Sequence, residues 1–332
     1  MREPHFWTVT DKRSRAAAPV LKLLMTPLSM IYRRAGANRI ARTTPVDAGL
    51  PVVCIGNLTL GGAGKTPVTA AVRAYFASKG ARAASLSRGY RGSLIGPAQV
   101  DALTNTSAEV GDEPLMLAAT GEAWISKDRP AGARAMKAAG VEIVIMDDGH
   151  QNPTLTKSLS IVVIDATNPF GNGHIFPKGP LRERVADGLA RADAVVLMND
   201  GERPAALDGF KGVVLRARLA PLAPLPPGRY VAFAGIGRPE RFFESLQAQT
   251  GVELSEAAPY PDHHAFLPSD ISYLMKLAKE RDAQLVTTDK DHVRLSPEVK
   301  SRVMRASVEA KFEDEAALHA LLDRVLARRV LA

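Results

Sequence analysis

Two rhythms of apolar and polar positions alternate along this chain. Short, nearly continuous apolar runs recur at 51–56, 83–87, 141–146, 159–165, 193–198 and 213–217. Between them lie amphipathic stretches at 66–79, 112–120, 129–139 and 183–191. The runs suit strands buried on both faces, and the stretches suit helices packed against them. Their alternation predicts an α/β fold built on a mostly parallel sheet with helices on both faces. Ligands of such sheets gather outside the carboxyl ends of the strands.

A proline-dense stretch at 220–228 cannot continue a helix or a central strand and reads as a linker. Beyond it the pattern predicts strands at 230–234 and 285–288, and helices at 239–249, 269–281 and 314–328. The chain therefore divides into a basic amino-terminal segment (1–45), a larger α/β unit (46–219), a linker (220–229) and a smaller α/β unit (230–332). Gly235-Ile236-Gly237 follows the first strand of the smaller unit. Lacking a third glycine, it reads as a tight turn and not as a dinucleotide site.

Composition adds little until charge is placed along the chain. The 332 residues are 46% hydrophobic and 23% charged, ordinary for a folded protein of this length. Cys54 is the single cysteine, so neither an internal disulfide nor a cysteine zinc site can form. Of the formal charge of +8, residues 1–45 hold +7, from nine cationic and two anionic side chains. The rest is near neutral and aromatics are 5%, so a nucleic-acid groove is not expected.

Inside the basic segment an apolar run from Ala16 to Ile31 is broken by Pro19, Lys22 and Pro27. That is too short and interrupted to span a bilayer, and no small-residue cleavage site follows. Leu23, Leu24, Leu28 and Ile31 between flanking arginines fit an amphipathic helix lying in a membrane interface. The same pattern also fits a helix packed on the protein's own core.

The candidate chemistry follows the strands. Gly61-Gly62-Ala63-Gly64-Lys65-Thr66 lies after the run at 51–56 and opens the next helix, the arrangement of a phosphate-binding loop. Its glycines let backbone N–H groups approach phosphate oxygens. Lys65 then neutralises the β- and γ-phosphates and the Thr66 hydroxyl ligates Mg²⁺. A nucleoside triphosphate is the expected ligand, although Thr59 stands where the usual pattern begins with glycine. Asp147 and Asp148 end the run at 141–146, the form of an acidic element that holds Mg²⁺ or its water.

Other positions have two readings. Asp112, in Gly111-Asp112-Glu113-Pro114, is a helix N-cap or a general base that takes the proton of an attacking hydroxyl. Arg182 and Glu183 are phosphate and metal contacts or an ion pair at a helix start. Arg88 and Arg91 beside Tyr90 recognise an anion or belong to a solvated loop. In Asp262-His263-His264 the adjacent rings must point apart, which argues against joint metal binding. One ring, polarised by Asp262 or a facing carboxylate, can tune a base across a cleft; otherwise the pair is a surface feature. The cluster Thr287-Thr288-Asp289-Lys290-Asp291 contacts an anionic substrate or pairs internally.

In this order the motifs resemble those of the tetraacyldisaccharide 4′-kinases, the lipid A 4′-kinases of Gram-negative bacteria. The resemblance runs from Pro4-His5-Phe6-Trp7 through Gly61–Pro67, Ser87-Arg88-Gly89-Tyr90, Gly111–Pro114, Asp147-Asp148-Gly149, Gly179–Glu183 and Asp262-His263-His264 to Asp291. It accounts for Thr59, because the family's loop also lacks the earlier glycine. It implies ATP- and Mg²⁺-dependent phosphorylation of the 4′-hydroxyl of tetraacyldisaccharide 1-phosphate, a lipid A disaccharide precursor. The site of action would be the cytoplasmic face of the inner membrane, where acylated substrate and ATP meet. It also implies a P-loop domain joined to a smaller α/β domain by a short two-stranded linker.

The resemblance gives Lys65 and Thr66 to phosphate and Mg²⁺, and Asp112 to catalysis as base, assisted by His263. Asp147, Asp148 and Glu183 would complete the metal site, with Arg88, Tyr90, Glu113 and Arg182 contacting phosphate or substrate. One departure is Gln151-Asn152, where the family commonly has Gln-His. Two rivals fit less well. A membrane-recruited regulatory ATPase would carry lysine where Leu60 stands, and a GTPase would need an N-K-x-D element that is absent.

Overall fold

The computed structural model describes residues 4–9 and 18–329. Arg2, Lys12, Arg13, Arg15 and Ala16 of the basic segment lie outside the described residues. In chain order the first elements are α1 (Pro19–Leu24), α2 (Thr26–Arg42), β1 (Val52–Gly56), α3 (Lys65–Ser78), β2 (Ala83–Ser87), β3 (Ala98–Val100), α4 (Ser107–Val110) and α5 (Asp112–Ala118). Then come β4 (Ala123–Ile125), α6 (Arg129–Ala138), β5 (Ile143–Asp147), β6 (Leu159–Asp165), α7 (Val185–Leu189), β7 (Ala194–Met198) and β8 (Val213–Pro221). The remainder is β9 (Gly228–Ala234), α8 (Pro239–Gln247), β10 (Val252–Pro259), α9 (Pro268–Glu280), β11 (Gln284–Thr288), α10 (Asp289–His292), α11 (Pro297–Lys300), β12 (Val303–Ala306), β13 (Val308–Phe312) and α12 (Glu315–Arg329).

Nine strands form one sheet in the order β13-β8-β7-β6-β1-β5-β2-β4-β3. Its pairs are parallel except at the two edges, where β13 and β3 run antiparallel to β8 and β4. The fully buried runs explain why helices cover both faces. Val53 and Ile55 point to the face that holds Val68, Val72 and Phe76 of α3. Val52 and Cys54 point to the other, beneath Ala133 and Met136 of α6. Each such side chain contributes roughly 1.5–3 kcal/mol by leaving water.

The second sheet is wholly parallel, in the order β10-β9-β11-β12. Here Tyr230, Ala232 and Ala234 pack on α8 through Phe242, Phe243 and Leu246. Val231 and Phe233 face α9 through Leu274 and Leu277.

The expected boundary of the smaller unit at 230–332 has to be redrawn. Its sheet spans 228–306, and the chain then returns to the first sheet. β13 pairs with β8 from Val308 opposite Pro221 to Phe312 opposite Ala217. The stretch expected to be linker from Ala220 is thus partly strand, because Pro221 closes β8 at its last position, where a proline is tolerated. α12 lies on α3: Leu318, Leu321, Leu322 and Val325 join the core under the P-loop helix. Tyr75 donates to Asp323 at 2.5 Å and stacks on His319 with ring centroids 4.4 Å apart.

The amino-terminal apolar run is a helix pair that breaks at Met25. α2 is held by Ser29, whose hydroxyl donates to the Ile175 carbonyl at 2.8 Å, and by Tyr32 against Phe176. Most other large apolar side chains of the pair do not pack on the core: Leu23 and Leu24 of α1 are 72% and 71% exposed, and Leu28 and Ile31 of α2 are exposed too. No helix among the described residues is long and apolar enough to cross a membrane.

Candidate active site

The loop from Gly61 to Thr66 links the carboxyl end of β1 to α3. Gly64 is the N-cap of α3 at φ +84°, and Gly61 sits at φ +106°, both left-handed values that favour glycine. Gly64 also faces Met198, whose Cε would lie 3.2 Å from an added Cβ. No side chain caps α3, so its first N–H groups and its dipole are available to an anion. Pro67 falls in the first turn, where its missing N–H costs nothing.

The two aspartates after β5 have opposite surroundings. Asp147 is buried and accepts from the Thr69 hydroxyl of α3 at 3.0 Å. Burial pushes it up to about 6 against the opposing Lys65 charge, and Asp148 and Glu113 add to the rise. Asp148 has φ +50°, a conformation that costs about 1–3 kcal/mol in a non-glycine residue. It turns out to meet Arg182 at 2.8 Å and Lys65 at 3.6 Å. Burial works to raise Asp148, but those two cations outweigh it and hold the carboxyl well below its usual range.

Thr66, Asp147 and Asp148 supply hard oxygen donors of the kind Mg²⁺ takes when it keeps waters and binds nucleotide phosphates. The burial of the Asp147 carboxyl fits a dication, since a neighbouring positive charge offsets the desolvation that raises it. Among the described residues no three His, Cys, Asp or Glu form a self-sufficient metal cage. The donor set therefore fits an ion shared with phosphates.

Arg182 ties this corner together. Its Nε donates to the Thr59 carbonyl at 3.1 Å and its Nη1 to Asp148, so it braces the start of the phosphate loop. Glu183, expected at the metal, is engaged by two neighbours here. Both its oxygens are within 2.8 Å of Arg191 Nη2, and Oε1 also accepts from Gln151 Nε2 at 2.9 Å. Held on a single guanidinium nitrogen, this carboxylate positions Gln151, whose amide also donates to the Asn57 carbonyl. Asn152 is used in a local turn, accepting from the Thr154 N–H and hydroxyl.

Asp112 is not the N-cap of its helix. That position belongs to Gly111 at φ +90°, and the Asp112 side chain is directed elsewhere. His263 Nδ1 lies 3.0 Å from Asp112 Oδ2, and Arg294 reaches the same oxygen with Nε at 3.1 Å and Nη2 at 2.7 Å. Burial alone would raise Asp112, but the hydrogen bonds of His263 and Arg294 and the Arg294 charge hold it well below the usual carboxylate range. His263 belongs to the second sheet's loops and has φ +61°. The neighbouring His264 points away, to Asp270 at 2.8 Å.

Arg88 and Tyr90 follow β2 on the same sheet edge and stay exposed, with the Tyr90 ring 5.8 Å from the Arg91 guanidinium. Their loop is pressed on the start of α5: an added Cβ on Gly111 would meet the Tyr90 carbonyl at 2.5 Å. Glu113 is half-buried and close enough to Asp147 to raise it. On the opposite flank Asp165, at the end of β6, accepts from Arg238 at 3.1 Å and Arg241 at 3.2 Å, both from the second sheet's side. Asp165 and Arg238 line a crevice with Thr59 to Ala63 of the phosphate loop.

Gln151 was noted without a role, Lys290 and Asp291 only as part of a cluster that meets an anion or pairs internally, and one residue was missed outright, Arg294. The last had a signal: it stands one helical turn after Asp291 in a charged cluster that ends a strand.

Comparison with known proteins adds the following. The family of tetraacyldisaccharide-1-P 4′-kinases matches residues 21–327. A tetraacyldisaccharide 4′-kinase of Hyphomonas neptunium is 55% identical over 329 residues, covering 99% of each chain. One of Maricaulis maris is 50% identical over 333 residues, covering 98% of this chain and 97% of its own. A crystal structure of LpxK from Aquifex aeolicus in complex with ATP aligns with a TM-score of 0.73 and 25% identity, over 92% of this chain and 99% of that one.

Proposed function

Because the chain belongs to the tetraacyldisaccharide-1-P 4′-kinase family, we propose that it moves the γ-phosphoryl group of ATP to the 4′-hydroxyl of a tetraacyldisaccharide 1-phosphate, with Asp112 as the base. The product class is a lipid A precursor. The observation that carries the reading is the arrangement at Asp112. Every hydrogen bond to this carboxylate falls on Oδ2, which leaves Oδ1 with its lone pairs for a hydroxyl proton.

The chain's residues divide the work. Backbone N–H groups from Gly61 to Thr66 and the start of α3 bind the phosphates of ATP. Lys65 neutralises the β- and γ-phosphates, and Arg182 holds Lys65's partner Asp148 in place. Thr66, Asp147 and Asp148 would hold Mg²⁺, which would supply positive charge against the negative charge that develops on the phosphates. Asp112 accepts the proton of the 4′-hydroxyl as its oxygen attacks the γ-phosphorus, and the bond to the β-phosphate oxygen breaks, releasing ADP. His263 orients Asp112. Arg88 and Tyr90 contact the anionic disaccharide on the open edge beside α5.

A lipid acceptor stays in its bilayer, so the enzyme must come to it. The exposed apolar side chains of α1 and α2, with Arg33, Arg34, Arg39 and Arg42 on the following turns, support an interfacial anchor on an anionic leaflet. ATP is available on the cytoplasmic side of the inner membrane, which is the face we assign. Deleting residues 1–35 is expected to move the protein from the membrane to the soluble fraction; unchanged sedimentation with membranes would refute the anchor. Label transfer from [γ-³²P]ATP to purified acylated disaccharide 1-phosphate tests the activity itself. Hydrolysis of ATP without labelled lipid would favour a regulatory ATPase.

A further inference from the structure

The short helix α10 begins where β11 ends, and its first turn is built around a buried carboxylate. Asp291 is fully buried. Its Oδ2 accepts from the Gly235 N–H at 2.9 Å and the Thr288 hydroxyl at 2.8 Å, while Oδ1 accepts from Arg294 Nη1 at 2.7 Å. Arg294 Nη1 donates also to the Gly235 carbonyl at 3.1 Å. That locks one edge of the guanidinium into the second sheet, and the other edge, Nε and Nη2, ends on Asp112 of the first. Gly235-Ile236-Gly237, set aside above as a mere turn, is therefore part of this anchor.

His263 is constrained from its other side. Lys290 Nζ lies 3.2 Å from His263 Nε2 and 3.2 Å from Asp262 Oδ1. An ammonium has only donors, so the Lys290 contact calls for Nε2 as the accepting nitrogen; Asp262 Oδ2 stands farther from that nitrogen, at 3.6 Å. The ring proton then sits on Nδ1, which faces Asp112 Oδ2. Arg294 Nη2 lies 3.1 Å from that nitrogen, but its acceptor is the same Asp112 oxygen. A carboxylate held by two donor groups on one oxygen has a defined second oxygen, and a displacement of about 1 Å at such a group can cost about 10²-fold in rate.

We infer that Arg294 and Lys290 are positioning residues for the transfer: Arg294 pins Asp112 Oδ2 so that Oδ1 meets the acceptor hydroxyl, and Lys290 sets the His263 tautomer that donates to Oδ2. This rests on the reading of Asp112 as base, and the experiment separates the two. The full-length enzyme is assayed with ATP and acylated disaccharide 1-phosphate as Asp112→Asn, Arg294→Met, Arg294→Lys and Lys290→Met. The His263 tautomer is read from ¹⁵N shifts of histidine-labelled protein.

Arg294→Met is expected to lower kcat about 10²-fold with KM for ATP within about twofold, and Arg294→Lys to recover part of it. Lys290→Met is expected to convert His263 from a single Nδ1–H tautomer to a mixture and to lower kcat about tenfold. If Arg294→Met does not fold, Arg294→Gln replaces it, with the same fall in kcat expected. Wild-type kcat in the folded Arg294 variants, or an unchanged His263 tautomer in Lys290→Met, overturns the inference while Asp112→Asn remains inactive. Near-normal kcat in Asp112→Asn overturns the base reading, and this inference with it.

Discussion

Two acidic residues tie the large sheet to the small one, and they do so differently. Asp112 meets Arg294, which is 6% exposed, and every donor falls on a single oxygen. Asp165 meets Arg238 and Arg241, which are 38% and 43% exposed. Asp165 spends both oxygens: Oδ1 accepts from Thr167 and Asn199 of its own sheet, and Oδ2 from the two arginines. The charge types and the joining role are shared. Only Asp112 keeps an oxygen for a reacting hydroxyl, so one bridge can do chemistry while the other holds the crevice over the phosphate loop.

The largest break in this comparison is expected from the matched pair Asp112→Asn and Asp165→Asn. The first should lower kcat about 10²–10⁴-fold, because the acceptor of the hydroxyl proton is gone, with little change in KM. The second should leave kcat within about tenfold and act on KM for ATP, because Asp165 and Arg238 line the crevice beside the Gly61–Thr66 loop. Equal losses of kcat in both would show that the bridges act alike, through closure alone. His263→Ala sharpens the Asp112 side. A fall of about tenfold is expected, since Arg294 still holds Oδ2; a loss as large as that of Asp112→Asn would make the two residues one catalytic unit.

These contrasts show what a linear reading can and cannot reach. The strands inside each sheet were legible because they are buried on both faces and therefore apolar throughout, as in Val52–Gly56 and Ile143–Asp147. The strands that escaped it, β3, β10, β12 and β13, are the four sheet edges, and β4 is a three-residue neighbour of one. An edge strand such as Val308–Phe312 buries only alternate side chains, so its apolar signal is weak. The gathering of Lys65, Thr66, Asp147 and Asp148 at one edge of the sheet was legible because each follows or ends a buried strand. The partners of Glu183 were not legible, because Arg191 and Gln151 meet it only through the turn that joins them. Arg294 depends on the apposition of two sheets, which no local pattern encodes.

Acid should weaken both bridges, because both carboxylates are depressed in the folded state. The folded-state value of Asp165 is lowered: burial works to raise it, but Asn199, Thr167 and Arg241 outweigh burial. Asp112 is lowered as well. For a depressed carboxylate the unfolded chain binds more protons between the folded and unfolded values, so stability rises with pH there. The contribution is complete above the unfolded value of about 4 and is lost as pH falls below it. The share of the melting temperature that these two carboxylates carry should therefore hold from neutrality to about pH 5 and drop below about 4, while Asp147, raised to about 6, and His150, lowered to about 4, act in opposite directions above that range; Asp165→Asn should flatten part of the drop. An unchanged acid limb in this variant would deny the bridge its stabilising role.

The smallest effect is expected at Arg241. It shares Asp165 Oδ2 with Arg238 and also donates to the Thr167 hydroxyl, yet its side chain is 43% exposed. Water and salt screen such a pair, and holding a long side chain in one geometry costs entropy, so Arg241→Ala should change stability by less than about 1 kcal/mol. Asp165 keeps Arg238, Asn199 and Thr167 after the truncation, so no charge is left without a partner. Arg294→Met removes the guanidinium that joins Asp112 to the buried Asp291, and the contrast between these two truncations measures how far burial separates the bridges. Urea titration at low and high salt checks it: a loss at Arg241 that exceeds 1 kcal/mol and persists in 1 M salt would mean that the outer bridge is as desolvated as the inner one.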